Sequence, residues 1–247
     1  MKNDFTIMLP VHRSNLPLAN ECLKSLLQNS DLNIICIDDF GNDSDYIQDE
    51  RITFIHNTIE GRQPLVKIWN QCIKECPTDN VIIASWRQRP TPEHFKTIEE
   101  KLNNGYGLVT FDGLHFFGLN KFLTNKIGFF DEGFTKGQYE DTDWFNRLRT
   151  NDIAIHVGYI DEQKHINGNQ VSSMWLEGAN LNEIYYKSKW SETPHNQLIQ
   201  HSNELNFSDR EYFKDLKEIK YKPWSESNLT ENLANYYNIF NTHIKTF

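Results

Sequence analysis

The sequence predicts an α/β protein: a mostly parallel sheet with helices on both faces, followed by a helical C-terminal extension. Three observations predict this. Short apolar runs of strand length alternate with segments of helical period, the connections between them are short, and charged residues collect just after the strands, where open parallel sheets take their ligands.

Taken in order, Phe5-Thr6-Ile7-Met8-Leu9 is an apolar run stopped by Pro10, and Asn15-Leu16-Pro17 opens a helix with a capping residue and an early proline. Leu16, Ala19, Cys22, Leu23, Leu26 and Leu27 keep helical spacing. Asn33 to Ile37 is a second buried strand, and it runs into Asp38-Asp39-Phe40-Gly41-Asn42-Asp43-Ser44-Asp45, a loop of carboxylates and turn formers. Ile52 to Ile55 gives a third strand, and Leu65, Ile68, Trp69, Cys72, Ile73 and Cys76 mark an amphipathic helix. Val81 to Ala84 is a fourth strand, followed by Ser85-Trp86-Arg87-Gln88-Arg89 and a helix opened by Thr91-Pro92. On a parallel sheet Asp38, Asp39, Arg87 and Arg89 then share one rim. Two β-like runs follow between Gly107 and Phe117, then a short helix near Asn120 to Ile127, an acidic helix start, and a strand at Ile153 to Val157. Beyond Trp175 the chain is polar, aromatic and helical in character, suited to covering the core, to a homo-oligomer contact or to sugar binding. The expected division is a domain over 1–190 and a helical extension over 191–247 packed on it.

Composition narrows the function. With 25 Lys+Arg against 34 Asp+Glu, a formal charge of −9 argues against nucleic acid or an anionic membrane surface as the main partner. No stretch approaches the roughly 18 apolar residues of a spanning helix, and Met1 to Pro10 lacks the layout of a secretory signal, so a cytoplasmic protein is expected. Cys22, Cys36, Cys72 and Cys76 lack the spacing of a zinc site or a disulfide framework and read as buried thiols.

The densest chemistry lies in Gly137-Gln138-Tyr139-Glu140-Asp141-Thr142-Asp143-Trp144, with three carboxylates in four residues at a helix start. Neighbouring charges raise one another's pKa values, while the positive end of the helix stabilises an anion. The arrangement suits a general base, and it equally suits an acidic first turn favoured by the helix dipole. Asp38 and Asp39 read either as an acidic turn capping a strand or as ligand contacts. Arg87 and Arg89 read either as an exposed basic turn or as anion clamps, since guanidinium pairs with phosphate oxygens bidentately.

The ordered set of motifs resembles the nucleotide-sugar glycosyltransferases of the GT-A fold, most closely glycosyltransferase family 2, over about residues 5 to 190. Thr6 to His12 looks like that family's first strand and nucleotide loop, and Ile35 to Asp43 looks like its strand followed by an Asp-Asp-Gly-Ser type turn. Asn57 through Asn70 matches the stretch before the central strand. Gly128-Phe129-Phe130-Asp131-Glu132-Gly133-Phe134, then Gly137 and Glu140 to Trp144, resembles the acceptor-side signature, and His165 and Ser172-Ser173 fall where members carry a histidine and a small-residue loop.

The resemblance implies an inverting transferase that moves a sugar from a UDP-, GDP- or dTDP-sugar to a hydroxyl of a glycan or glycoconjugate. Asp141 would be the base, with Glu140 and Asp143 orienting it or binding the acceptor. Pro10, Val11, His12, Asp38 and Asp39 would line the nucleotide side, and Arg87 and Arg89 would meet the diphosphate. The family's cofactor is Mn²⁺ or Mg²⁺ held by an Asp-x-Asp pair after the fourth strand, and here Ser85 to Pro90 contains no carboxylate. Two other readings stand beside this one: a GT-A domain that has become a binding or scaffold protein, and a nucleotidyltransferase, for which no Gly-rich phosphate loop follows the first strand.

Overall fold

The computed structural model describes residues 4–12, 16–38, 43–57, 64–111, 113–134, 139–158, 160, 182 and 186. Asp39, Gly61, Gly137, His165, Ser172, Ser173 and the extension over 191–247 lie outside the described residues. The chain forms two compact units, one of residues 1–63, 68–123 and 154–169, the other of 64–67, 124–153 and 170–247.

The first unit carries a seven-stranded sheet. Its strands are β1 (Phe5–Val11), β2 (Asn33–Asp38), β3 (Ile52–His56), β4 (Asn80–Ala84), β5 (Leu108–Phe111), β6 (Phe116–Asn120) and β7 (Ile155–Gly158), in the order β3-β2-β1-β4-β6-β5-β7. Strand pairs β1–β2, β1–β4, β2–β3 and β5–β7 are parallel, and β6 alone runs against its two neighbours. The reversal follows from the short link between Phe111 and Phe116, because a parallel crossover needs a dozen residues or more. Gly113, at a φ of 69°, takes the left-handed turn that such a link requires.

Strand β1 runs on to Val11, past the proline at which the sequence pattern stops it. Pairing with β4 ends at Met8, whereas pairing with β2 continues to Val11, so Pro10 lies where β1 has only one neighbour and a missing N–H does least harm. Strand β7 likewise starts at Ile155, two residues after the apolar run begins.

One sheet face is covered by α1 (Leu16–Asn29) and α3 (Pro92–Asn103). Phe5, Ile7, Leu9 and Val11 alternate along β1 toward Ala19, Cys22, Leu23 and Leu26 of α1 and Phe95 and Ile98 of α3. Helix α3 comes very close at Gly118, where a Cβ would lie 2.4 Å from Ile98 Cγ2. On the other face Trp69 of α2 (Leu65–Glu75) meets Phe117 edge-on at 5.9 Å. All four cysteines are buried free thiols, and burial pushes Cys22 up to about 12.

Helix ends are fixed by side chains. Thr91 caps α3, whose first residue is Pro92, and His94 Nδ1 accepts the Thr91 backbone N–H at 3.0 Å. Arg51 donates to the carbonyls of Ser30 and Leu27 at the C-terminal end of α1, at 2.7 and 3.0 Å. Asn20 of α1 donates to the Asp45 carbonyl and accepts from the Ile47 N–H, which fixes the short 3₁₀ turn Asp43–Asp45.

The second unit contains α4 (Leu123–Ile127, its first residue counted with the sheet) and α5 (Glu140–Thr150). Phe130, Phe134, Trp144, Phe145 and Leu148 are buried, Trp144 stacks on Phe130 at 4.3 Å, and its indole N–H donates to the Gly128 carbonyl. Among the described residues no helix is long and apolar enough to cross a membrane.

Candidate active site

The C-terminal ends of β1, β2 and β3 bring three residues into register. Val11 pairs with Asp38, and Asp38 pairs with His56. The Asp38 carboxylate is 0% exposed and its Oδ2 lies 3.8 Å from His56 Nδ1, while the His56 ring, 37% exposed, also meets the Asp43 carboxylate through Nε2. Phe54 stacks on the same ring. Tyr46 completes the surroundings of Asp38: burial, and after it the Asp38 charge, raises the tyrosine hydroxyl well above its ordinary pKa. Asn57 donates its backbone N–H to the Asp38 carbonyl at 2.9 Å and exchanges amide hydrogen bonds with Gln71 of α2 at 3.1 and 2.8 Å. Asp38 is thus a buried carboxylate beside His56 and Tyr46, and Pro10 and His12 stand partly exposed at the end of the adjoining strand.

The sequence pattern singled out Asp38 but gave no role to His56, Asp43 or Tyr46. The available signal was that Asp38 and His56 each close a strand, so parallel pairing sets them side by side.

After β4 the chain makes a tight turn in which the Gln88 N–H donates to the Ser85 carbonyl at 2.9 Å. The two arginines of this turn have different surroundings. Arg89 spends both terminal nitrogens on protein acceptors: Nη1 donates to the Trp86 and Gln88 carbonyls, both at 2.9 Å, and Nη2 to the Leu18 carbonyl at 3.3 Å and Glu21 Oε2 at 3.1 Å. It fastens the turn to α1. Arg87 is partly exposed, with its guanidinium carbon 4.9 Å from the centre of the Trp86 ring, a cation–π contact.

In the second unit α5 sorts the three carboxylates. Glu140 is 5% exposed, and its Oε2 has no hydrogen-bond partner among the described residues. Burial, and after it the Asp141 charge, pushes Glu140 up to about 8. Asp141 is partly exposed and accepts the Thr142 N–H at 2.7 Å and the Thr142 hydroxyl at 3.3 Å. Its pKa is raised by desolvation, which those two bonds partly offset. Asp143 points into the core and pairs with Arg147, whose Nη1 also donates to the Ile127 and Phe129 carbonyls at 3.0 and 2.6 Å. Tyr139, before the helix, has a left-handed φ of 70°, a conformation costing a non-glycine residue about 1–2 kcal/mol. Its ring packs on Tyr186, whose hydroxyl accepts from Asn146.

These features sit on a fold with solved relatives. A mannosyltransferase from Pyrobaculum calidifontis, solved in complex with GDP-Man and Mn²⁺, aligns with a TM-score of 0.54 over 100% of this chain and 76% of its own, at 10% identity. A 4-diphosphocytidyl-2C-methyl-D-erythritol synthase from Anaerococcus prevotii aligns with a TM-score of 0.50 over 73% of this chain and 99% of its own, at 13% identity. No family model and no curated protein matches the sequence. The likeness is one of fold: the chain has a GT-A-like α/β fold.

Proposed function

We propose that the protein is an inverting glycosyltransferase that moves a sugar from a nucleoside-diphosphate donor to a hydroxyl of a glycan or glycoconjugate. The observation that carries this reading is Asp141, a carboxylate at the N-terminus of α5 that stays partly exposed while Glu140 and Asp143 beside it are buried. Desolvation raises its pKa, the direction that strengthens a carboxylate as a proton acceptor. Asp141 takes the proton of the acceptor hydroxyl. That oxygen forms a bond to the anomeric carbon of the donor, the bond from the carbon to the diphosphate oxygen breaks, and its electron pair leaves with the nucleoside diphosphate.

Each other candidate residue has a role on this reading. The Val11–Asp38–His56 row with Pro10 and His12 takes the nucleoside, Asp39 is assigned to the ribose or diphosphate, and the turn carrying Arg87 takes the diphosphate, with Arg89 holding that turn. Glu140, pushed up to about 8 by burial and the Asp141 charge, flanks Asp141, and Asp143 holds α5 through Arg147. The transferase domain spans 1–190.

The test is to incubate the protein with UDP-, GDP- and dTDP-sugars and a panel of glycan acceptors, and to measure released nucleoside diphosphate and the anomeric configuration of the product. Transfer with inversion supports the reading. Retention removes Asp141 as sole base, and pyrophosphate release from a nucleoside triphosphate with no transfer from any sugar donor makes the protein a nucleotidyltransferase.

A further inference from the structure

Of the three acidic residues that open α5, Asp143 is paired with Arg147, and Asp141 accepts the N–H and the hydroxyl of Thr142. Glu140 differs from both. It is 5% exposed, and its Oε2 has no hydrogen-bond partner among the described residues. Buried polar atoms in folded proteins are nearly always paired, and an exception beside a reactive group is where an atom of a bound molecule completes the pairing. The charge acting on this carboxyl is that of Asp141, so the two groups lie close together. Their frame is rigid, because Trp144 on the same turn of helix stacks on Phe130 and donates to the Gly128 carbonyl.

The chemistry of Glu140 selects the group that fits it. Burial, and after it the Asp141 charge, pushes it up to about 8, the direction that keeps a proton on the carboxyl. A carboxyl that keeps its proton has one O–H donor and acceptor capacity besides. A cation would need the ionised oxygens instead, and an anion would be set against Asp141. A sugar hydroxyl both donates and accepts, so it matches such a carboxyl in both senses. We infer that Glu140 determines acceptor specificity by binding a second hydroxyl of the acceptor, next to the one that Asp141 activates, so that the acceptor is a sugar with a free hydroxyl adjacent to the reacting one; the inference rests on the transferase reading above.

The experiment is steady-state kinetics of the full chain with UDP-, GDP- and dTDP-sugars as donors and the methyl glycosides of glucose, galactose and mannose as acceptor probes, followed by the monodeoxy analogues of each glycoside that is used. The analogue lacking the hydroxyl next to the reacting one should show an acceptor KM raised about ten- to a hundredfold, as expected when a buried polar group is left unpaired. Glu140→Ala should raise the KM of the parent glycoside by a similar factor, with the loss on the acceptor KM and not on the donor KM. The same variant should leave the KM of that analogue where it stands in wild type, a result that a purely structural role would not give. Glu140→Gln should recover most of the loss, since an amide also donates and accepts. A parent KM unmoved by Glu140→Ala, or a loss equal for the parent and every analogue, overturns the inference, and the transferase reading stands if Asp141→Asn still cuts turnover. No transfer from any donor to any glycoside overturns the reading and the inference together. Melting curves of each variant separate loss of binding from loss of fold.

Discussion

Asp143 and Arg147 form an ion pair one turn apart on α5, with Nη2 and Oδ2 separated by 2.8 Å and both side chains 0% exposed. Two buried charges are tolerable only together. Arg147 adds hydrogen bonds to the carbonyls of Ile127 and Phe129, so the pair also anchors α5 to the end of α4. This commits one of the three acidic residues at the start of α5 to stability.

Asp143→Ala should therefore destabilise the protein by about 3–5 kcal/mol, because it strands a buried guanidinium. The double variant Asp143→Leu/Arg147→Met should lose less than the single one, since no charge is left without its partner. Urea unfolding followed by tryptophan fluorescence measures both. A single variant as stable as wild type would mean that the pair is open to water.

Asp141→Asn should keep the fold and donor binding while cutting turnover by about 10²–10⁴-fold, the usual worth of a general base. Amide and carboxylate have nearly the same shape, but only the carboxylate takes a proton at neutral pH. Steady-state kinetics with an unchanged melting temperature is the expected outcome, and wild-type turnover would remove Asp141 from the chemistry.

Glu140 gives a pH dependence with a definite sign. Its pKa rises from 4.5 to about 8 in the fold, chiefly through burial. The folded protein thus holds a proton that the unfolded chain has released, and stability contributed by that proton is present below about 4.5 and lost as pH rises toward 8. Glu140→Gln removes the group, so the variant should gain stability relative to wild type as pH rises through this window. Melting curves of the two proteins at pH 5 and pH 8.5 test this, and parallel pH profiles would contradict it.

Asp38→Ala should weaken binding of the preferred nucleoside diphosphate more than it alters the chemical step. The carboxylate is buried beside His56 and Tyr46, and removing it leaves the His56 ring without one of its two acidic neighbours. The cost in binding should be about 1–3 kcal/mol, the usual penalty for an unmatched buried polar group. Calorimetry checks it, and an unchanged dissociation constant would put Asp38 outside the nucleoside contact.

Local chemistry made much of the fold legible. The Thr91-Pro92 cap marks the start of α3 because a capping residue and a helix-compatible φ act over a few residues. The spacing of Ala19, Cys22, Leu23 and Leu26 marks the buried side of α1 because helical period alone decides it. The link between Phe111 and Phe116 is too short for a parallel crossover, so the reversal of β6 is also legible in the sequence. Pro10 misled at the end of β1, since whether a missing N–H matters depends on which neighbours the strand still has.

What the sequence by itself determined is the alternation of strands and helices, the acidic start of α5 and the carboxylate-free turn after β4, because each is set by residues adjacent in the chain. Tertiary structure alone decided that Asp143 turns inward to Arg147 while Asp141 stays partly exposed, that Val11, Asp38 and His56 line up, and that Arg89 is held by Glu21 of α1, 68 residues earlier. The physical reason is that periodicity and capping fix which face of an element is buried. How deeply the i,i+4 pair Asp143–Arg147 is buried, and which acceptors Arg89 finds, depend on strand register and helix packing between distant segments, and no local pattern encodes those.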